Sequence, residues 1–172
     1  MGIAQTIDNI LFSSATTLFK AYGVQLAEDP AGAGEGSGDG IAVVGFHGAA
    51  ISGTLLIIVP SGPLRASMPV PSATERDWLG ELANQMLGRV KNRLLAYGVE
   101  VVAMTPTVLG SMRILPVAVP GRLQGIGMVT KEGARVTVWI DYYVDDHERL
   151  ANLSRGDEVI GRGATGRGTA VA

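Results

Sequence analysis

A chain of 172 residues with a net charge of −2 and no cysteine fits one domain with enough apolar content for a core, and it excludes disulfide scaffolds and thiol chemistry. The slightly acidic balance lacks the clustered Lys and Arg that nucleic-acid binding requires. No apolar run reaches the roughly 18 residues of a membrane span, and no basic region precedes an apolar block at the start, so a cytoplasmic location without membrane contact is expected. Met1-Gly2-Ile3-Ala4-Gln5-Thr6 fits the short myristoylation pattern, but it runs into an amphipathic helix and lipidation is not expected.

Ile3, Ile7, Ile10, Leu11, Leu18 and Tyr22 recur at helical spacing, which predicts a first helix over 3–22 with Gly23 as its stop. A short strand over 24–27 follows, and then a segment from Asp29 to Gly40 with the composition of a flexible loop. The β-branched runs 41–46 and 51–59, split by a Gly-containing turn, read as a hairpin. Pro60, Pro63, Pro69 and Pro71 punctuate the way to a second helix, which starts at a capping box (Ser72 with Glu75, or Thr74 with Asp77) and ends at Tyr97 before Gly98. Strands are predicted over 99–104, 107–111, 125–130 and 135–144, the last two joined by a tight turn at Lys131-Glu132-Gly133. From Ala151 the apolar periodicity ends, so a domain over 1–150 is expected to be followed by a flexible Gly- and Arg-rich tail over 151–172.

Lys20-Ala21-Tyr22-Gly23-Val24-Gln25-Leu26 matches Leu95-Ala96-Tyr97-Gly98-Val99-Glu100-Val101, a helix exit followed by a strand start in each case. Superposing the two places Asn9 on Asn84, Thr6 on Glu81 and Ser13 on Gly88. The chain therefore reads as two related halves, about 3–60 and 72–145, with half of the polar pair missing from the first. The fold class expected is α+β, two long helices on a largely antiparallel sheet with pseudo-twofold internal duplication.

On the second helix Asp77, Glu81, Asn84 and Gly88 form one stripe, opposite Leu79, Ala83, Met86, Val90, Leu94 and Tyr97. Gly80 and Gly88 each weaken a helix interior by roughly 1 kcal/mol relative to Ala, and a bare surface beside polar side chains lets a partner approach closely. Asn84 can donate and accept at once, as orienting a water molecule requires, whereas ionised Glu81 only accepts and suits a partner's Lys or Arg. An isolated Glu-x-x-Asn is usually a solvated helix face, and Asp77 alone is a capping carboxylate.

The full pattern is more specific. Asp77, three residues, Glu81, two residues, Asn84, then Gly88 and Pro106 resembles the signature of the CheC/CheX/FliY chemotaxis phosphatases, and a single complete pair makes the chain more similar to CheX. The resemblance implies hydrolysis of the aspartyl phosphate on a CheY-like response regulator. It gives Asn84 the task of orienting the attacking water and Glu81 that of contacting the regulator's Lys; Asp77, Gly80 and Gly88 of the same helix face are expected to dock the partner, and the internal repeat makes Asn9 a degenerate second site. No cofactor or metal of the chain's own is implied, since Mg²⁺ is held by the regulator. A homodimer through edge strands is the expected assembly. The competing expectation is a non-catalytic module of the same fold that docks a regulator or a flagellar switch component.

Weaker signals have simpler explanations. Gly161-Arg162-Gly163-Ala164-Thr165-Gly166 fits a dinucleotide fingerprint but lacks the flanking strand and helix. Asp145-Asp146-His147-Glu148 is too compact to converge on one metal, and His47 has no catalytic partner. Trp139 reads as a packing residue, and Trp78 as packing with the option of lining the docking surface.

Overall fold

The computed structural model describes residues 2–34, 36–38, 40–69, 74–109, 112–114, 122–156 and 158–159. Two helices, α1 (Ile3–Ala21) and α3 (Glu75–Ala96), alternate with strands β1 (Ala27–Glu28), β2 (Gly36–Gly38), β3 (Gly40–His47), β4 (Ile51–Val59), β5 (Val102–Ala103), β6 (Thr107–Leu109), β7 (Met112–Ile114), β8 (Leu123–Val129) and β9 (Arg135–Val144). The short helices α2 (Ser61–Ala66) and α4 (Ala151–Arg155) complete the order.

Seven strands form one antiparallel sheet in the order β1-β8-β9-β4-β3-β5, with β6 pairing further along β3. The order reads symmetrically about the central β9 and β4. Each edge strand crosses to the other side of that axis: β1 pairs with β8 (Ala27 with Val129), and β5 pairs with β3 (Val102 with His47). The two-residue period turns Leu55, Ile57 and Val59 of β4 and Val136, Val138 and Ile140 of β9 to one face, where α1 contributes Ile7, Leu11, Leu18 and Phe19 and α3 contributes Leu79, Leu82, Met86 and Leu94. These side chains form a single buried cluster.

Both helix exits close identically. The amides of Gly23 and Val24 donate to the carbonyls of Lys20 and Phe19, and those of Gly98 and Val99 donate to Leu95 and Leu94. This is the Schellman arrangement, with Gly23 at φ 80° and Gly98 at φ 79° in the left-handed region that glycine adopts without steric cost. The shared Ala-Tyr-Gly-Val sequence is thus a stop signal used twice.

Several expectations are corrected. The segment from Asp29 is not all loop: Asp29 and Ala33 are buried, and β2 pairs with β7, because backbone pairing needs no apolar side chains. The strand expected over 24–27 begins only at Ala27, and that over 99–104 contracts to Val102–Ala103. Residues 110–111 of the strand expected over 107–111 lie outside the described residues. Between Pro60 and Ala66 the chain is helical, since Pro63 falls in the first turn, where amide donors have no intrahelical partner. The tail does not begin at Ala151. There α4 inserts Leu153, with Leu150 just before it, into the main core, and the Val159 amide donates to the Ala96 carbonyl at 2.6 Å. Residues 160–172 of the expected tail, including the Gly161–Gly166 fingerprint, lie outside the described residues.

Candidate functional site

Thr74 starts α3: its Oγ1 accepts from the Asp77 amide at 3.1 Å and donates to Asp77 Oδ2 at 2.6 Å. Of the two capping boxes readable in the sequence, Ser72 of the first lies outside the described residues; the Thr74–Asp77 contacts fix the first turn and give the Asp77 carboxylate a structural task beside the helix N-terminus. One turn on, Glu81 and Asn84 are exposed, while Leu82 and Ala83 between them are fully buried. The buried pair anchors the helix, so the polar pair projects from a rigid element.

Across from this face runs the sheet edge formed by β5 and β6. Pro106, in the break between these strands, has no amide to offer a ladder and sits where an edge tolerates it. Val108 pairs with Ala42 of β3 and lies on the helix side, against Gly80. Arg76, Asp77, Gly80, Glu81, Asn84, Pro106 and Val108 together line a shallow, open cleft of about 370 Å³. A Cβ on Gly80 would meet Val108 Cγ2 at 3.4 Å, an ordinary contact. At Gly88, which lies further along the stripe and outside the cleft, a Cβ would meet nothing within 4 Å. Packing among the described residues therefore requires glycine at neither position.

Asn9 is exposed in a different groove between α1 and α3, lined also by Ser13, Thr17, Arg89, Asn92, Arg93 and Glu158. Thr6, the counterpart of Glu81, is buried and donates its hydroxyl to the Gly2 carbonyl. The first helix thus presents no pair like that of the second.

Trp78 does not line this cleft. It is buried, its Nε1 donating to Ser67 Oγ at 2.9 Å, and its ring meets Tyr22 edge-on at 4.8 Å. Trp139 is half-buried over Gly125 of the neighbouring strand. Asp145 accepts from Ser52, and Asp146 caps the following turn through the amides of Glu148 and Arg149. Among the described residues no group of three His, Cys, Asp or Glu could hold a metal ion, and no helix is long and apolar enough to cross a membrane.

Sequence reasoning missed Gln85. Its Nε2 donates to Glu81 Oε1 at 2.8 Å, and its Oε1 accepts from Tyr22 Oη at 2.9 Å. The spacing of four from Glu81 to Gln85 was a readable signal. The reach of Tyr22 from the end of α1 was not.

No family model and no curated protein matches this sequence. Solved structures do. CheX from Vibrio vulnificus superposes with a TM-score of 0.66 at 19% identity, over 80% of this chain and 96% of that one. The chain has a CheX-like fold. A CheX from Borrelia burgdorferi, in a complex with CheY, BeF3 and Mg²⁺, matches this CheX-like chain with a TM-score of 0.56 at 12% identity, over 78% of it and 96% of that chain. A Helicobacter pylori FliM–SpeE complex gives 0.52 at 13% identity, over 88% and 94%.

Proposed function

We propose that this CheX-like protein removes phosphate from the aspartyl phosphate of a CheY-like response regulator by inserting Glu81 and Asn84 into the receiver's active site. The observation that carries the reading is the cleft in which Asp77, Gly80, Glu81, Asn84 and Pro106 meet, with both candidate side chains exposed on a rigid helix. Further support comes from the likeness to a CheX described in a complex with CheY.

In this reading the Glu81 carboxylate takes the ammonium of the regulator's active-site Lys as a charge-assisted partner and sets the docking register. The Asn84 carboxamide accepts from a water and holds it in line with phosphorus. The water oxygen bonds to phosphorus as the bond to the aspartyl oxygen breaks, the regulator's carboxylate leaves, and inorganic phosphate is released. Phosphoryl transfer is governed mostly by positioning and charge stabilisation, so two placed side chains suffice when the regulator supplies Mg²⁺ and Lys. Asp77, Gly80 and Gly88 shape the contact surface around them, and the partner places the activity in the cytoplasm.

The symmetric strand order, the twin helix exits and the match of Asn9 with Asn84 support an origin by internal duplication in which only the second copy kept a working pair. The short edge strands β1 and β5 offer surfaces through which two copies could pair as a homodimer. A second reading, docking of a regulator or flagellar switch component without hydrolysis, is favoured by the likeness to FliM.

The test is the rate of phosphate loss from phosphorylated receiver domains with and without this protein. Asn84→Ala is expected to abolish acceleration while leaving the circular dichroism spectrum and regulator binding unchanged. Parental acceleration that survives Asn84→Ala would end the catalytic assignment. Binding without acceleration by the parent would leave the docking reading in its place.

A further inference from the structure

Glu81 ends a chain of contacts that begins on another helix. Ser67, just after α2, donates to the Leu64 carbonyl and accepts from Trp78 Nε1 at 2.9 Å. The fixed indole carries the Tyr22 ring at 4.8 Å with an interplanar angle of 82°. Tyr22 Oη then donates to Gln85 Oε1 at 2.9 Å, and Gln85 Nε2 donates to Glu81 Oε1 at 2.8 Å.

The direction of this chain matters. A phenol that donates to a carboxamide selects its oxygen, so the amide is oriented and its nitrogen is turned towards the carboxylate. An exposed Glu ordinarily samples many rotamers. Here a half-buried Gln, itself held by a half-buried Tyr, binds one of its oxygens.

We propose that Gln85 and Tyr22 are positioning residues that preset the Glu81 carboxylate for docking. The inference rests on the docking role proposed above for Glu81. Gln85 engages Oε1, which leaves Oε2 to accept from a partner cation. Ordering the side chain before encounter removes part of the entropy lost on binding, which tightens association without touching the chemical step. The hydroxyl comes from the exit of α1, so the first helix contributes to the second helix's site although its own pair is incomplete.

Gln85→Met keeps the side-chain volume and removes both hydrogen bonds, and Tyr22→Phe keeps the ring against Trp78 and removes only the hydroxyl. Each is expected to raise KM for the phosphorylated receiver by about 2- to 10-fold with kcat unchanged. On a Glu81→Ala background Gln85→Met should add nothing. A purely structural role would lower the active fraction and leave KM in place, so an unchanged KM overturns the proposal. Side-chain scalar couplings of Glu81 in the isolated protein give a second readout, with one rotamer expected in the parent and averaging in Gln85→Met. Averaging already present in the parent also overturns the proposal. A fixed Glu81 in a protein that neither binds nor dephosphorylates any receiver would instead overturn the phosphatase reading and leave the hold on Glu81 standing.

Discussion

Gly88 separates what the fold needs from what a partner needs. Its Cβ position is open, so Gly88→Ala should raise stability by about 0.5–1 kcal/mol through helix propensity, measured as a shift in denaturant midpoint. If the receiver's surface approaches there, the same variant should dephosphorylate more slowly. A gain in stability without any loss of rate would remove Gly88 from the docking surface. Asp8 gives a different signal. Burial raises its carboxyl above the usual range, and burial of the Tyr142 phenol, with the Asp8 charge second, pushes that phenol up. A folded-state value above the unfolded one means stability that is complete in acid and is lost as pH rises through the raised value. Asp8→Asn should therefore match the parent in melting temperature at acidic pH and exceed it at neutral pH. Equal melting temperatures at both would mean that the burial cost is not realised.

At the scale of elements, the hairpins were the most legible parts of the chain. Ile51–Val59 and Arg135–Val144 are β-branched runs that pair with each other at the centre of the sheet, and their predicted bounds are the observed ones. Strand β2 could not be read because Gly-Ser-Gly carries no pattern, its order coming from backbone bonds to β7. Proline hid α2 by standing in the one turn of a helix that accepts it. The motif residues Asp77, Glu81 and Asn84 were legible from helical spacing, whereas the approach of Pro106 depends on β6 pairing with β3, which no local pattern encodes. The helix stops make a sharper test. Gly98→Ala forces a side chain into the left-handed region at φ 79° and should cost about 1–2 kcal/mol, read by chemical denaturation. A near-zero cost would mean that the exit rearranges.

For the molecule as a whole, α4 belongs to the fold. Leu153→Ala should cost about 2–5 kcal/mol, the range for a leucine removed from a packed core, whereas a mobile tail would make the change neutral in thermal unfolding. Asn9→Ala should leave the proposed phosphatase activity intact, because Thr6 beside it is buried and cannot take the role proposed for Glu81. Activity lost in Asn9→Ala would require two working sites.

The crossed edge strands bear on how the chain is made. Ala27 leaves the ribosome well before its ladder partner Val129, and the central strand β4 waits for β9. The first half therefore emerges with a long apolar strand that lacks one neighbour until β9 has been made. Such non-local pairing slows folding and exposes an aggregation-prone intermediate. Neither half should be soluble when expressed alone, and co-expressing the two fragments should recover the protein only when both are present together.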